Sequence, residues 1–434
     1  MPSVDVWEAH IRPKPEFALD SDAVTATGRR WRRRWALPLM AMVLPAACGG
    51  AALPAGPLQS GTATASMATS PTAPPAATVT PSPTPACSNQ SALESWSVGR
   101  LAWQVIVVPA EMSSLNSVRG EIASAAGGIL LFGATAPGNL ASELAGLAST
   151  SPGGIAPLVM SDVEGGDVER AANLLGPMPS ARQLARTMTP TQITAYALNL
   201  GRSLRAVGMT MDLAPVMDLD AGFGPSALDP DGTRSFSDDA HIAATDAAAF
   251  SAGLAAAGVI AVAKHFPGLH GTGDNTDEGP AQTSSWPALQ DHELVPFKVA
   301  IAAGEPAIML SNASVPGLSP LPSSISPQVV TALRDQLGFK GLLLTDSLTA
   351  GSLAKIGYTV PRAATAALIA GVDMVIYNGA SSEVAANASG AVAAIEAAVN
   401  SGTLPRAQLI ESVSRVLAVK HVDLCGQSPP APPA

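Results

Sequence analysis

Ionisable residues are scarce in this chain, 13% against roughly 25% in an average soluble domain, and those present fall in short bursts. The bursts are Asp162-Val163-Glu164-Gly165-Gly166, Asp218 with Asp220, Arg234, Lys264-His265-Phe266-Pro267-Gly268, Ser311-Asn312 and Thr345-Asp346-Ser347. A polar stretch over 269–280 adds His270, Asp274, Asp277 and Glu278. Acids, cations and an imidazole make charge-assisted hydrogen bonds to hydroxyl groups. Carboxylates and imidazoles also move protons near neutral pH. His265, His270 and Asp274 could offer ligands to a metal ion, but their spacing matches no strong zinc motif. Neither a metal nor an organic cofactor is expected.

Each burst follows a short apolar run rich in Val, Ile and Leu, as strands buried on both faces should be. Eight such runs are read, over 105–109, 129–132, 157–161, 212–216, 260–264, 307–311, 342–345 and 373–377. Ala-rich stretches with helical spacing lie between them, over 191–207, 239–257, 288–303, 326–337 and 362–370, several ending at Gly208, Gly258, Gly304, Gly338 or Gly371. Eight strands alternating with helices predict a parallel (β/α)8 barrel in one domain over 87–425. A doubly wound open sheet is the competing architecture, but no Gly-rich phosphate fingerprint follows the first strand. In such barrels the site forms at the C-terminal ends of the strands, where the polar bursts fall.

Ahead of the barrel, the first 34 residues end in Arg29, Arg30, Arg32, Arg33 and Arg34, followed by an uncharged apolar run over 35–47. Thirteen residues are too few for a membrane-spanning helix, which needs roughly 20. A basic region, an apolar run and small residues before Cys48 make residues 1–48 an export signal. The Ala46-Ala47-Cys48 ending resembles a bacterial lipobox, with Pro45 where that pattern usually has Leu. Cys48 would then carry a lipid anchor to the membrane, with plain secretion as the alternative. Residues 49–86 hold no charge and are mostly Ala, Pro, Thr, Ser and Gly, a spacer with too little to bury to repay its chain entropy. Residues 426–434 form a Pro-rich tail. Cys87 and Cys425, the two other cysteines, bracket the barrel and are expected to form one disulfide. The chain-entropy model assigns such a long loop about 5 kcal/mol. The alternative is a pair of free thiols.

The formal charge of the 434 residues is −10, and −12 once residues 1–48, with seven basic and five acidic groups, are removed. No basic excess exists to attract phosphate backbones, so nucleic acid is excluded as a partner. A monomer is expected.

The strand-end motifs together resemble glycoside hydrolase family 3, in its single-barrel β-N-acetylhexosaminidase branch, over roughly residues 100–420. The resemblance is carried by Gly127-Gly128-Ile129-Leu130-Leu131-Phe132, the 162–166 run, Leu213-Ala214-Pro215-Val216-Met217-Asp218, Thr233-Arg234-Ser235-Phe236, Lys264-His265-Phe266-Pro267-Gly268, and Leu337-Gly338-Phe339-Lys340-Gly341 leading into Thr345-Asp346-Ser347-Leu348. It implies a retaining β-glycosidase acting on a carbohydrate, most simply a β-N-acetylglucosaminide of wall-derived fragments. Asp346, on the loop after the seventh strand, matches the nucleophile, and Asp162, Arg234, Lys264 and His265 match the residues that hold sugar hydroxyls. Asp218 and Asp220 read as loop-structuring.

The proton donor departs from the pattern. The branch carries it as a His in an Asp-x-His motif on the mobile loop after Lys-His-Phe-Pro-Gly; alignment on the Asp places Thr276 there. His270, Asp277, Glu278 and Asp274 are the remaining candidates. Asp167 and Asn312 stand where the family commonly has Arg and often has His. Two alternatives follow: a glycan-binding lipoprotein that has lost turnover, and an enzyme that transfers the glycosyl group to phosphate or another acceptor.

Overall fold

The computed structural model describes residues 87–226, 229–269 and 274–426. The export segment with Cys48, the spacer, His270 and the tail beyond Gly426 lie outside them. Ten strands occur in chain order: β1 (Ile106–Glu111), β2 (Gly128–Phe132), β3 (Leu158–Ser161), β4 (Met211–Asp212), β5 (Ile260–Phe266), β6 (Ala307–Leu310), β7 (Ser314–Val315), β8 (Ser319–Pro322), β9 (Leu342–Ser347) and β10 (Met374–Ile376). Eight of them close a parallel barrel in the order β1, β10, β9, β6, β5, β4, β3, β2. β7 and β8 pair only with each other, as an antiparallel hairpin after β6. The barrel is the (β/α)8 architecture, and the open sheet is excluded by the β1–β10 ladder.

The barrel interior is a layered apolar cluster of alternate residues, among them Val107, Leu130, Met160, Met211, Val262, Met309, Leu344 and Ile376. Their neighbours in sequence, such as Ile106, Val108, Ile308 and Leu343, face the helical shell instead. This is why the strand runs are apolar at every position. The C-terminal helix Arg406–Val419 closes the end where the strands begin, placing Val416 among the interior residues. On the outside, helices Pro190–Ala206 and Ala240–Ala256 approach closely. A Cβ on Gly253 would stand 2.4 Å from the Thr194 carbonyl and 2.6 Å from the Ala197 methyl.

Several boundaries differ from those read in the sequence. β4 is regular only over Met211–Asp212, because Pro215 has no N–H to donate to the ladder; Val216 rejoins as an isolated bridge to Lys264. The stretch 288–303 is two helices, Trp286–Asp291 and Leu294–Ala303, and Pro296 falls in the first turn of the second, where a missing N–H costs nothing. The helix over 326–337 ends in a π turn, Ala332–Gln336, from which Arg334 reaches Asp373 at 2.6 Å.

Cys87 and Cys425 are joined by a disulfide with Cα atoms 5.8 Å apart. Asn89 reinforces the junction, donating to the Val422 carbonyl and accepting from the Leu424 amide, both at 2.7 Å. No helix among the described residues is long and apolar enough to cross a membrane.

Candidate active site

The barrel's own periodicity builds the site. Met160, Val262 and Leu344 belong to the interior layer, and two residues further along their chains stand Asp162, Lys264 and Asp346. Side chains repeat every second residue along a strand, so the inward face continues past the apolar layer and changes to charge. β5 and β9 extend further than the sequence suggested: His265 and Phe266 are strand residues, and Asp346 is the penultimate residue of β9 rather than part of a loop. A strand position holds a reacting group more firmly than a loop would.

Around this ring runs an ion-pair chain. Lys264 Nζ is 2.7 Å from Asp162 Oδ1 and 2.6 Å from Glu164 Oε1. Arg234 engages Glu164 through two parallel bonds, Nε to Oε2 at 2.7 Å and Nη2 to Oε1 at 3.0 Å. Burial opposes ionisation of Glu164, but Arg234 and Lys264 outweigh it and hold the carboxyl far below the usual range. Both cations are correspondingly held in their charged forms against the effect of burial, by Glu164 on Arg234 and by Asp162 and Glu164 on Lys264. Glu164 was not singled out as a site residue in the sequence, because the group that defines its role lies 70 positions away on another loop.

His265 follows Lys264 on β5. Its Nδ1 is 2.6 Å from Asp218 Oδ2, and Asp218 also accepts from the backbone amides of His265 and Leu269. Burial lowers His265 to about 4, with Lys264 and Arg234 adding to burial against the pull of Asp346. The imidazole is therefore neutral at pH 7, its Nδ1 is committed to Asp218, and Nε2 is the remaining polar atom. Burial raises Asp218 and Asp231 to about 7 each. Among the described residues, Asp218, Asp231 and His265 are the group whose ligand atoms converge, within 4.8 Å. Asp218 is already occupied by hydrogen bonds to protein atoms, and Asp231 pairs with Arg234 at 3.4 Å. Asp218 thus works as a hydrogen-bonded support for His265, and Asp231 as one for Arg234. Of the metal trio read in the sequence, Asp274 is exposed and His270 lies outside the described residues.

The loop that carries Arg234 is organised from outside. Arg182, near the start of helix Ala181–Thr187, donates to the carbonyls of Asp220, Gly222, Gly232 and Ser235. Asp220 in turn accepts from the amides of Gly222 (2.6 Å) and Gly232 (3.2 Å). Asn312, at the end of β6, donates to the Ser347 carbonyl at 2.8 Å and so braces the residue next to Asp346. Asp167 is exposed.

Asp346 accepts from the Ser347 amide at 2.6 Å. Burial raises its carboxyl, and the nearby charge of Asp277 adds to that, while His265 and Lys264 oppose it. Asp277 lies on the loop after β5, raised by partial burial and by Asp162 and Glu278 against Arg234. Thr276 beside it is buried, whereas Asp277 and Glu278 are exposed.

Residues 118–419 match the glycosyl hydrolase family 3 N-terminal domain. The chain belongs to glycosyl hydrolase family 3. This family 3 chain is 34% identical over 277 residues to the beta-hexosaminidase LpqI of Mycobacterium tuberculosis, spanning 62% of the chain and 69% of the relative. A family 3 glycosyl hydrolase from Mycobacterium smegmatis superposes with a TM-score of 0.69 at 31% identity, over 77% of this chain and 98% of that one. A beta-N-acetylhexosaminidase from Beutenbergia cavernae gives 0.68 at 30% identity, over 75% and 99%. The protein is a glycoside hydrolase.

Proposed function

We propose that this hydrolase is a retaining β-glycosidase of the cell exterior that removes β-linked N-acetylglucosamine from wall-derived fragments, with Asp346 as nucleophile. The observation that carries the reading is the position of Asp346: a carboxylate two residues beyond the interior residue Leu344, on the ring that also holds Asp162 and Lys264. A retaining hydrolase needs such a carboxylate facing the anomeric carbon and a proton donor for the leaving oxygen. The Asp346 carboxylate attacks the anomeric carbon as the bond to the leaving oxygen breaks. A glycosyl ester forms and is then opened by water, and two inversions return the original configuration.

The ion-pair chain supplies sugar-binding groups already charged and held. Lys264 has three ammonium hydrogens and uses two on Asp162 and Glu164, so one is left for a hydroxyl. Asp162, partly exposed, accepts from another hydroxyl. His265 offers Nε2, and Arg234 the one guanidinium hydrogen not spent on Glu164, Pro230 and Asp231. The names of the relatives support an N-acetylhexosaminide as substrate. The basic and apolar run before Cys48 supports export and lipid anchorage.

Thr276, buried where the family has its donor, favours a second reading in which sugar is bound without turnover. Release of 4-nitrophenol from its β-N-acetylglucosaminide and β-glucoside separates the two, because this leaving group hardly needs protonation. Turnover that vanishes in Asp346→Asn is expected; no release from either, beside measurable N-acetylglucosamine binding, would favour the second reading.

A further inference from the structure

Resting on that reading, we propose that Asp277 is the general acid/base of this enzyme and that Gly351 is the positioning residue that fixes it opposite Asp346. The segment around Asp277 is one tight turn. The Asn275 carbonyl accepts from the amides of Glu278 and Gly279, both at 3.1 Å, and the Asn275 side chain accepts from the Asp277 amide at 2.9 Å. This turn is fastened to the chain that follows the nucleophile. The Gly351 amide donates to the Asp277 carbonyl and the Ser352 amide to the Thr276 carbonyl, each at 2.9 Å. Gly351 opens helix Gly351–Ala354, five residues beyond Asp346.

The fastening depends on an absent side chain. A Cβ at Gly351 would stand 2.5 Å from the Asp277 carbonyl oxygen and 2.6 Å from the Glu278 carbonyl carbon, both backbone atoms that cannot swing aside. Gly351 does not have the positive φ that favours glycine over other residues. Only the closeness of the Asp277 turn requires glycine there.

With the backbone so held, Thr276 is buried and Asp277 stays exposed, near enough for its charge to bear on Asp346, Asp162 and Arg234. Glu278 and the Lys355 ammonium, which lies beside Gly279, are the other charged groups around the turn. Of the two adjacent carboxylates, Asp277 is the one whose charge raises the nucleophile's pKa. Partial burial keeps a carboxyl protonated at a higher pH than in water, as a donor requires.

In the first step the Asp277 carboxyl gives its proton to the glycosidic oxygen while Asp346 bonds to the anomeric carbon. The departing oxygen keeps the electron pair of the broken bond. In the second step the Asp277 carboxylate takes a proton from the water that attacks the anomeric carbon, and the ester bond to Asp346 breaks.

The test compares full-length wild type, Asp277→Asn, Gly351→Ala, Glu278→Gln and His270→Gln on 2,4-dinitrophenyl β-N-acetylglucosaminide and on the β-1,4-linked disaccharide of N-acetylglucosamine, with and without azide. Asp277→Asn is expected to lose on the order of 10² to 10⁴-fold in kcat/KM on the disaccharide. On the aryl glycoside it should release a burst and then turn over slowly, and azide should restore turnover by forming the β-glycosyl azide. Its pH profile should lack the alkaline limb of the wild type. Gly351→Ala should show the same dependence on leaving group, with a loss of up to about 10²-fold on the disaccharide, measured at temperatures where the variant is folded. Disaccharide cleavage by Asp277→Asn at the wild-type rate overturns the proposal. So does the same leaving-group signature in Glu278→Gln or His270→Gln in its place. If wild type releases nothing from the aryl glycoside, or Asp346→Asn still turns over, the glycosidase reading fails and this proposal with it.

Discussion

Glu164 takes both edges of its carboxylate to Arg234 and still lies 2.6 Å from Lys264, so one acid neutralises two cations drawn from different loops. Replacing it with Gln leaves two buried positive charges facing each other with one partner gone. Removal of one member of a buried pair typically costs about 3–5 kcal/mol. Denaturant unfolding of Glu164→Gln should show a loss of that order with an unchanged m value. The folded pKa of Glu164 lies below its unfolded value near 4.5. Its contribution is therefore complete above about pH 5 and is lost as pH falls below that. The gap between wild type and Glu164→Gln should accordingly narrow in acid.

Asp346→Asn keeps the shape of the nucleophile and removes its charge. Activity on aryl glycosides should fall by on the order of 10³-fold or more, with KM little changed. Mass spectrometry with a 2-fluoro or other slow substrate should find the sugar on wild type and not on the variant.

The acid limb of kcat/KM reports ionisation of Asp346 in the free enzyme. Burial raises that carboxyl, so the limb should be centred above the ordinary Asp value of about 3.9. Asp277 as the acid is protonated across this limb and carries no charge there, so Asp277→Asn should leave the acid midpoint in place and remove the alkaline limb. An acid midpoint that falls in that variant would mean that Asp277 is ionised in the active form and is not the donor.

Gly253 lies where two outer helices meet, with no room for a methyl group. Gly253→Val should destabilise the barrel by about 1–3 kcal/mol through overpacking, and kcat on aryl glycosides should be unaffected at temperatures where the variant is folded. Thermal unfolding followed by circular dichroism measures this directly.

Loss of the disulfide in Cys87→Ser, or in the double variant with Cys425→Ser, should cost about 2–5 kcal/mol. Because Asn89 also ties the two ends together, through Val422 and Leu424, the variants should still fold. Reductant should destabilise wild type toward them and leave them unaffected.

The barrel was legible in the sequence because its strands are buried on both faces, which leaves short, wholly apolar runs with polar residues at one end. Asp162, Lys264 and Asp346 were legible for the same reason: each ends such a run. Glu164 and Arg182 were not, since their roles come from carboxylate and carbonyl groups that only the closed barrel brings to them. The break ahead of Leu294 was signalled by Pro296, which fits a helix only in its first turn. The role of Gly351 was hidden altogether, because nothing local demands glycine there and the turn that excludes a side chain belongs to another strand's loop.

The disulfide joins Cys425, just beyond the helix that closes the end of the barrel where the strands begin, to Cys87, and near that end Lys420 donates to Gln104 just ahead of β1. Asp162, Lys264 and Asp346 lie at the opposite end. Tension on the chain ahead of Cys87 therefore passes through the sulfur bridge into Cys425 and the helix that plugs the barrel floor. The strands that hold the reacting groups are left out of that path. A pull on the chain ahead of Cys87 would thus leave the pocket geometry as it is.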